Sequence, residues 1–135
     1  MKPLLPSLLL LAGVVLLPAC KDMGTAPVAT APAPAPPPGA TVSYQNDILP
    51  VLENAGCIGC HGGTSGLTVG SVAGLLRGGL HGPAVVPGKA DSSHIVQKIS
   101  PNPPFGDRMP QGGPYLSATT IQLIRTWIDQ GAKDN

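Results

Sequence analysis

The chain has 135 residues, of which 18 are Gly and 17 are Pro, while 11% are charged and only 3% are aromatic. Eight Lys and Arg residues balance seven Asp and Glu residues, so the composition excludes the strong positive field of a nucleic-acid-binding protein. One Phe, one Trp and two Tyr supply little of the aromatic area that usually fills a core. Either the ordered part is small, or another group fills its interior.

The N-terminal residues have the pattern of an export signal. Residues 4–17 are almost all apolar and follow the single charge of Lys2. This run is shorter than the roughly 20 residues of a membrane-spanning helix and is typical of a secretory signal. It ends in a tetrapeptide that resembles the lipobox of bacterial lipoproteins, although Pro18 departs from the usual pattern: Leu17-Pro18-Ala19-Cys20. The resemblance implies that residues 1–19 are a signal peptide and that Cys20 is lipidated.

Residues 20–41 form an Ala- and Pro-rich linker. Repeated Ala-Pro units precede three consecutive prolines at residues 36–38. Proline fixes φ and lacks an amide donor, so this segment is predicted to be an extended, semi-rigid stalk. The folded domain is therefore expected over residues 42–135.

The last helix of this domain has the clearest pattern. Ser117 is a good N-cap residue, and Gly131 is a suitable C-terminal stop. Between them, apolar residues recur with helical spacing and define one buried face: Ile121, Leu123, Ile124, Trp127 and Ile128.

Three earlier segments also have helical patterns. Residues 44–55 form one, with Pro50 either kinking the helix or opening its second half. Residues 71–77 and 92–99 each begin with a Ser cap, and residues 67–69 are able to pair briefly as a strand. The fold class is therefore all-α, with loops that are too long for so small a domain unless a bound group organises them.

The sequence Cys57-Ile58-Gly59-Cys60-His61 is the C-x-x-C-H motif of covalent haem c attachment. On a helical turn, residues three apart project side by side, so both sulfurs can reach one porphyrin edge, and His61 then lies under the iron. A zinc site would need further paired ligands, and a thioredoxin-like pair would need a βαβ pattern. A simple disulfide between the two Cys leaves His61 unexplained.

The second axial ligand must come from elsewhere in the chain. Met109 is the only methionine beyond the linker, and it lies in a Pro- and Gly-rich loop, so we predict that it ligates the iron. His81, also in a Gly-rich loop, is the alternative. His94 is expected to be a partly exposed helix residue.

Other residues have more general expected roles. Arg77 and Arg108 are candidates for pairing with haem propionates, or they are solvated surface charges. Trp127 is expected to pack in the core. A carbonyl of Pro83 or Pro87 is expected to accept a hydrogen bond from the free nitrogen of His61.

Five blocks in this order give the domain a family resemblance. It resembles the planctomycete-type cytochrome c domain, which is similar to class I mono-haem cytochromes c. The resemblance implies a small helical fold around one haem c, with Cys57 and Cys60 as thioethers, His61 as the proximal ligand and Met109 as the distal one. The blocks are residues 46–52, 57–62, 82–88, 108–110, and lastly 116–117 with 124–132.

These observations predict an exported, lipid-anchored electron-transfer protein, facing the periplasm or the cell exterior, and not an enzyme. We expect outer-sphere transfer of single electrons to redox protein partners, such as membrane complexes, with no nucleic acid and no small-molecule substrate. A haem-bearing subunit or sensor of a larger respiratory complex is the alternative. A haem peroxidase is a further one, in which His81 would act beside an open iron position.

Overall fold

Short helices joined by long loops make up the folded part of the chain. The computed structural model describes residue 37 and residues 39–135. A π-helical turn, Tyr44–Ile48, continues directly into α1, Leu49–Asn54. The other helices are α2, Cys57–Cys60; α3, Val72–Arg77; α4, His94–Ile99; and α5, Ala118–Asp129. Short 3₁₀ turns occupy Thr64–Gly66 and Ala90–Ser92.

Strand pairing in these residues is limited to two isolated antiparallel bridges. One joins Gly62 to Thr68, and the other joins Gly79 to Gly82. The all-α fold class is therefore confirmed. The predicted brief pairing of residues 67–69 is also found, because Thr68 pairs with the segment that follows the C-x-x-C-H motif.

The first helical segment starts with reciprocal capping. The Ser43 hydroxyl accepts a hydrogen bond from the Asn46 amide at 3.1 Å, and the Asp47 carboxylate accepts one from the Ser43 amide at 2.8 Å. Pro50 lies in the first turn of α1, where its missing amide is not needed. Pro50 therefore opens the second half of the first helical segment, which was one of the two predicted alternatives.

Helix α5 begins and ends as its sequence predicts. The Ser117 hydroxyl accepts a hydrogen bond from the Thr120 amide at 3.1 Å. After the helix, Gly131 adopts φ 101°, and the Ala132 amide donates to the Trp127 carbonyl at 3.0 Å, which closes the C-terminal turn. The predicted apolar face is buried except at Ile121, which is partly buried.

Trp127 joins the first and last helical segments. Its side chain is fully buried, and its ring lies 5.4 Å from that of Tyr44 between centroids. The indole Nε1 donates a hydrogen bond to the Lys133 carbonyl at 2.9 Å. The expected core packing of Trp127 is confirmed, and the two largest aromatic side chains of the core lie together on the α1–α5 side of the domain.

The two middle helices differ in their caps. The Ser71 hydroxyl accepts from the Gly74 amide at 3.1 Å, as predicted. The expected Ser92 cap is wrong, because Ser92 ends a 3₁₀ turn and Ser93 occupies the N-cap position of α4. The Ser93 hydroxyl bonds to the loop backbone at Val86 and Lys89 instead of capping the helix.

The start of the domain is attached to the end of α5 through one side chain. The side-chain oxygen of Gln130 accepts a hydrogen bond from the Val42 amide at 2.8 Å, and its side-chain nitrogen donates one to the Ala40 carbonyl at 2.7 Å.

No helix among the described residues combines the length and hydrophobicity that a membrane crossing requires. The predicted signal peptide and the lipidation residue Cys20 lie outside the described residues.

Candidate functional site

A cavity of about 330 Å³ lies within the folded domain. Its walls are mainly apolar, and its volume is within the usual range of ligand pockets. Residues from α1, the C-x-x-C-H motif, the loop at 79–82, helix α4 and the loop at 105–109 form its lining. Three of the predicted haem-binding residues are among them: Cys57, His61 and Met109.

The C-x-x-C-H motif is presented on a single helical turn. Gly56, with φ 71°, makes the sharp entry into α2, a backbone conformation that favours glycine. The turn is closed by the His61 amide, which donates to the Cys57 carbonyl at 2.8 Å. Cys57 is partly buried and lines the cavity, whereas Cys60 is exposed and is not part of the lining. Both thiols are free in the described part of the chain.

The position of Cys57 in the cavity wall changes the acidity of its thiol. Burial is the main cause that raises the pKa of the Cys57 thiol, and the neighbouring Cys60 adds to the effect. Before any bond to a cofactor forms, the Cys57 thiol is therefore protonated at neutral pH, because a thiol ionises at this pH only when its pKa is lowered.

His61 is held to the domain through its backbone. The His61 carbonyl accepts a hydrogen bond from the Val69 amide at 3.0 Å. The Val69 carbonyl in turn accepts one from the buried Tyr44 hydroxyl at 2.8 Å. This chain of hydrogen bonds connects the proximal-ligand candidate to the first helical segment.

The imidazole of His61 has an unusual environment. Its Nδ1 atom is buried and has no hydrogen-bond partner among the described residues. The prediction that a carbonyl of Pro83 or Pro87 accepts from this ring is therefore wrong for this structure, because Nδ1 makes no hydrogen bond. A buried polar nitrogen without a partner is energetically unfavourable.

Met109 is partly buried against the core and faces the same cavity as His61. Its amide donates to the Lys98 carbonyl at the end of α4, at 2.8 Å. The loop that carries Met109 is therefore attached to a helix.

Two other histidines also line the cavity, around a single aromatic ring. The Phe105 ring lies 4.6 Å from the His81 ring and 5.3 Å from the His94 ring between centroids. His94 is partly exposed on α4, as expected, but the positions of His94 and Phe105 in the cavity lining were not predicted. The one available signal was that Phe105, the only Phe of the chain, stands in a Pro-rich loop four residues before Met109.

Neither of the two arginines considered for the propionates lines the cavity. Arg77 donates to the Thr68 hydroxyl at 3.3 Å. Arg108 donates from Nε to the Ile99 carbonyl at 2.9 Å, and its guanidinium lies 4.2 Å from the centre of the Tyr115 ring. Both side chains therefore have protein partners of their own. Trp127 is also absent from the lining.

The cavity has the chemistry that haem c requires. It offers a thiol for covalent attachment, an imidazole and a thioether, within apolar walls, and these are the groups that hold haem in c-type cytochromes. Among the described residues, no group of three or more His, Cys, Asp or Glu side chains is arranged to hold a metal ion, so the zinc alternative has no support from this part of the chain.

A comparison with protein families is consistent with this geometry. The sequence model of the family described as planctomycete cytochrome C matches residues 57–111. This match supports a planctomycete-type cytochrome c domain over the matched residues. The match begins at Cys57 of the motif and includes Met109, and it ends before α5. The family supports a haem c-type electron-transfer protein. No curated protein and no solved structure matches the chain.

Proposed function

We propose that this protein is an exported, membrane-tethered cytochrome that holds one haem c and transfers single electrons between redox proteins. The observation that carries the proposal is the apolar cavity lined by Cys57, His61 and Met109 together. The number of haems follows from the sequence, in which one C-x-x-C-H motif occurs. Haem c supplies a one-electron carrier whose iron alternates between the ferric and ferrous states.

The side chains divide the work of holding this group. Cys57 and Cys60 would attach the haem covalently, and His61 and Met109 would bind its iron. A thioether ligand favours the ferrous state and so raises the reduction potential relative to a second histidine. Because the chain itself would supply both iron ligands, no position would be left for a substrate, and this favours an electron carrier over a peroxidase.

The surface charge supports weak, salt-insensitive docking. Within residues 42–135 six basic and six acidic side chains cancel, so long-range electrostatic steering of a partner is small. Lipidation of Cys20 would instead supply a high effective concentration near membrane complexes, on the side facing the periplasm or cell exterior. We therefore expect electron-transfer rates that change less than about threefold between low and physiological salt. A steep fall in rate with added salt would contradict this docking mode.

Optical spectra of the purified protein in both redox states test the axial ligands. In the ferric native protein we expect the Met-to-iron charge-transfer band, and in Met109→Ala we expect its loss together with carbon monoxide binding to the ferrous form. Met23→Ala, which changes the methionine of the linker, is the matched control and should leave both properties unchanged. His81→Ala should also retain the band.

The same measurements separate the alternatives. A native ferric protein without the band, or a native ferrous protein that binds carbon monoxide readily, would refute the electron-carrier proposal and favour a haem with an open position. Loss of the native spectrum in His81→Ala, with Met109→Ala unaffected, would instead assign the sixth position to His81.

A further inference from the structure

The loop at residues 105–109 is attached to the last turn of α4 by hydrogen bonds to the carbonyls of that helix. The Met109 amide donates to the Lys98 carbonyl at 2.8 Å. Next to it, Arg108 Nε donates to the Ile99 carbonyl at 2.9 Å. The last carbonyls of a helix have no partner within the helix, and here the Met109 loop supplies two donors to that end.

The side chain of Lys98 makes further contacts with the same loop. Its Nζ donates hydrogen bonds to the carbonyls of Phe105 and Asp107. The ammonium also lies 4.9 Å from the centre of the Phe105 ring, within the range of a cation–π interaction. Lys98 therefore contacts the loop at three points and lines the cavity together with Met109.

These contacts differ from an ordinary surface ion pair. The Asp107 carboxylate accepts a hydrogen bond from the Gln111 side-chain amide at 2.8 Å, while Lys98 bonds to the Asp107 backbone. Hydrogen bonds from a charged donor are stronger than neutral ones, and bonds to two carbonyls two residues apart restrict the path of the backbone between them. The Lys98 ammonium therefore holds the part of the loop that precedes Met109, beside the bonds that the Met109 amide and Arg108 make to α4.

We propose that Lys98 is the positioning residue for Met109: its ammonium holds the carbonyls of Phe105 and Asp107 so that the thioether stays at the cavity. This inference rests on the proposed function, in which Met109 is an axial ligand. Without the ammonium, the loop is expected to open more often, and the sixth position then becomes accessible to an external ligand.

Three variants of the full, haem-loaded protein test the proposal. Lys98→Gln removes the charge and shortens the reach, and Lys98→Arg keeps a charged donor. Lys89→Gln is the matched control, because Lys89 is exposed and lies in the loop before α4. Three measurements apply to each variant: the Met-to-iron charge-transfer band of the ferric form, carbon monoxide affinity of the ferrous form and amide hydrogen exchange across the domain.

For Lys98→Gln we expect a weaker band and about tenfold tighter apparent carbon monoxide binding, because apparent affinity scales with the population of the open state. This factor corresponds to about 1.4 kcal/mol. Faster amide exchange is expected at Met109, whose amide bonds to the Lys98 carbonyl, and should not extend to α5. Lys98→Arg should be intermediate, and Lys89→Gln should match the native protein.

Two results would overturn the role of Lys98. One is a native-like band and carbon monoxide affinity in Lys98→Gln. The other is faster exchange throughout α5 as well, which would mean that Lys98 stabilises the domain as a whole. Failure of the proposed function is distinct from both, because the native protein itself would then lack the band.

Discussion

The hydroxyl of Tyr44 provides a sharp test of how the first helical segment supports the motif. It is fully buried and donates to the Val69 carbonyl at 2.8 Å, and the Val69 amide donates to the His61 carbonyl at 3.0 Å. Tyr44→Phe removes this hydroxyl and keeps the ring that packs on Trp127. The variant therefore isolates one hydrogen bond in the connection to His61.

The expected cost at pH 7 follows from burial. Removing the donor leaves a buried carbonyl without its partner, which typically costs about 1–2 kcal/mol. For a domain of this size, each kcal/mol lowers the midpoint of thermal unfolding by about 4–8 °C. Tyr44→Phe should therefore be measurably less stable than the native protein while keeping its fold.

The difference should depend on pH in a defined direction. Burial first, and then the carboxylates of Asp134 and Glu53, raise the pKa of Tyr44 from 10.0 to about 12. A folded-state pKa above the unfolded value means that the folded protein binds the proton more tightly. This contribution to stability is complete below pH 10 and is lost as the pH rises towards 12, and it amounts to about 1–2 kcal/mol. The advantage of the native protein over Tyr44→Phe should therefore vanish in this interval.

Chemical denaturation of the haem-loaded proteins, followed by far-UV circular dichroism at pH 7 and at steps between pH 10 and pH 12, measures both effects. Tyr115→Phe is the control, because Tyr115 is 52% exposed, and its free energy of unfolding should change by less than about 0.5 kcal/mol. An equal loss in both variants, or a difference between native protein and Tyr44→Phe that is independent of pH, would refute the assigned role of the buried hydroxyl.

Three further predictions concern stability, each measured by thermal or chemical unfolding. In Gly78→Ala, the new Cβ would lie 1.9 Å from the Gly82 carbonyl oxygen, at a residue with φ 72°, so we expect the free energy of unfolding to fall by at least about 3 kcal/mol. Gly82 has φ 94° and open space around a new Cβ, so Gly82→Ala should lower it by only about 1–2 kcal/mol. Equal losses in the two variants would contradict the clash. Ser117→Ala removes the α5 cap and should lower the free energy of unfolding by about 1 kcal/mol. Ser92 caps no helix, so Ser92→Ala should lower it by less than about 0.5 kcal/mol. Protein produced without haem should be largely unfolded by circular dichroism, because the cavity then has no filling, and near-native tertiary structure would refute this expectation.

The features that the sequence predicted correctly depend on neighbours along the chain. A cap, an apolar period and a terminal glycine lie within one helix, so Ser117 and Gly131 were sufficient to bound α5. The single-turn geometry of the C-x-x-C-H motif is equally local. The family match covers residues 57–111 and so extends from the motif to Met109.

The features that the sequence could not predict depend on the path of the loops. The bonds from Lys98 cross seven and nine positions of chain, and Tyr44 bonds to a carbonyl 25 positions away. No periodic pattern encodes such contacts. Ser93 is a related case, because its hydroxyl is as suitable for capping as that of Ser71. It instead hydrogen-bonds to the loop backbone at Val86 and Lys89.

The two hydrogen bonds of Gln130 have a practical consequence for the design of protein fragments. Because Ala40 and Val42 are both held by this side chain, a recombinant domain should start no later than residue 39 to keep its natural N-terminal contact. A spin label or fluorophore placed at residue 40 should then tumble with the domain.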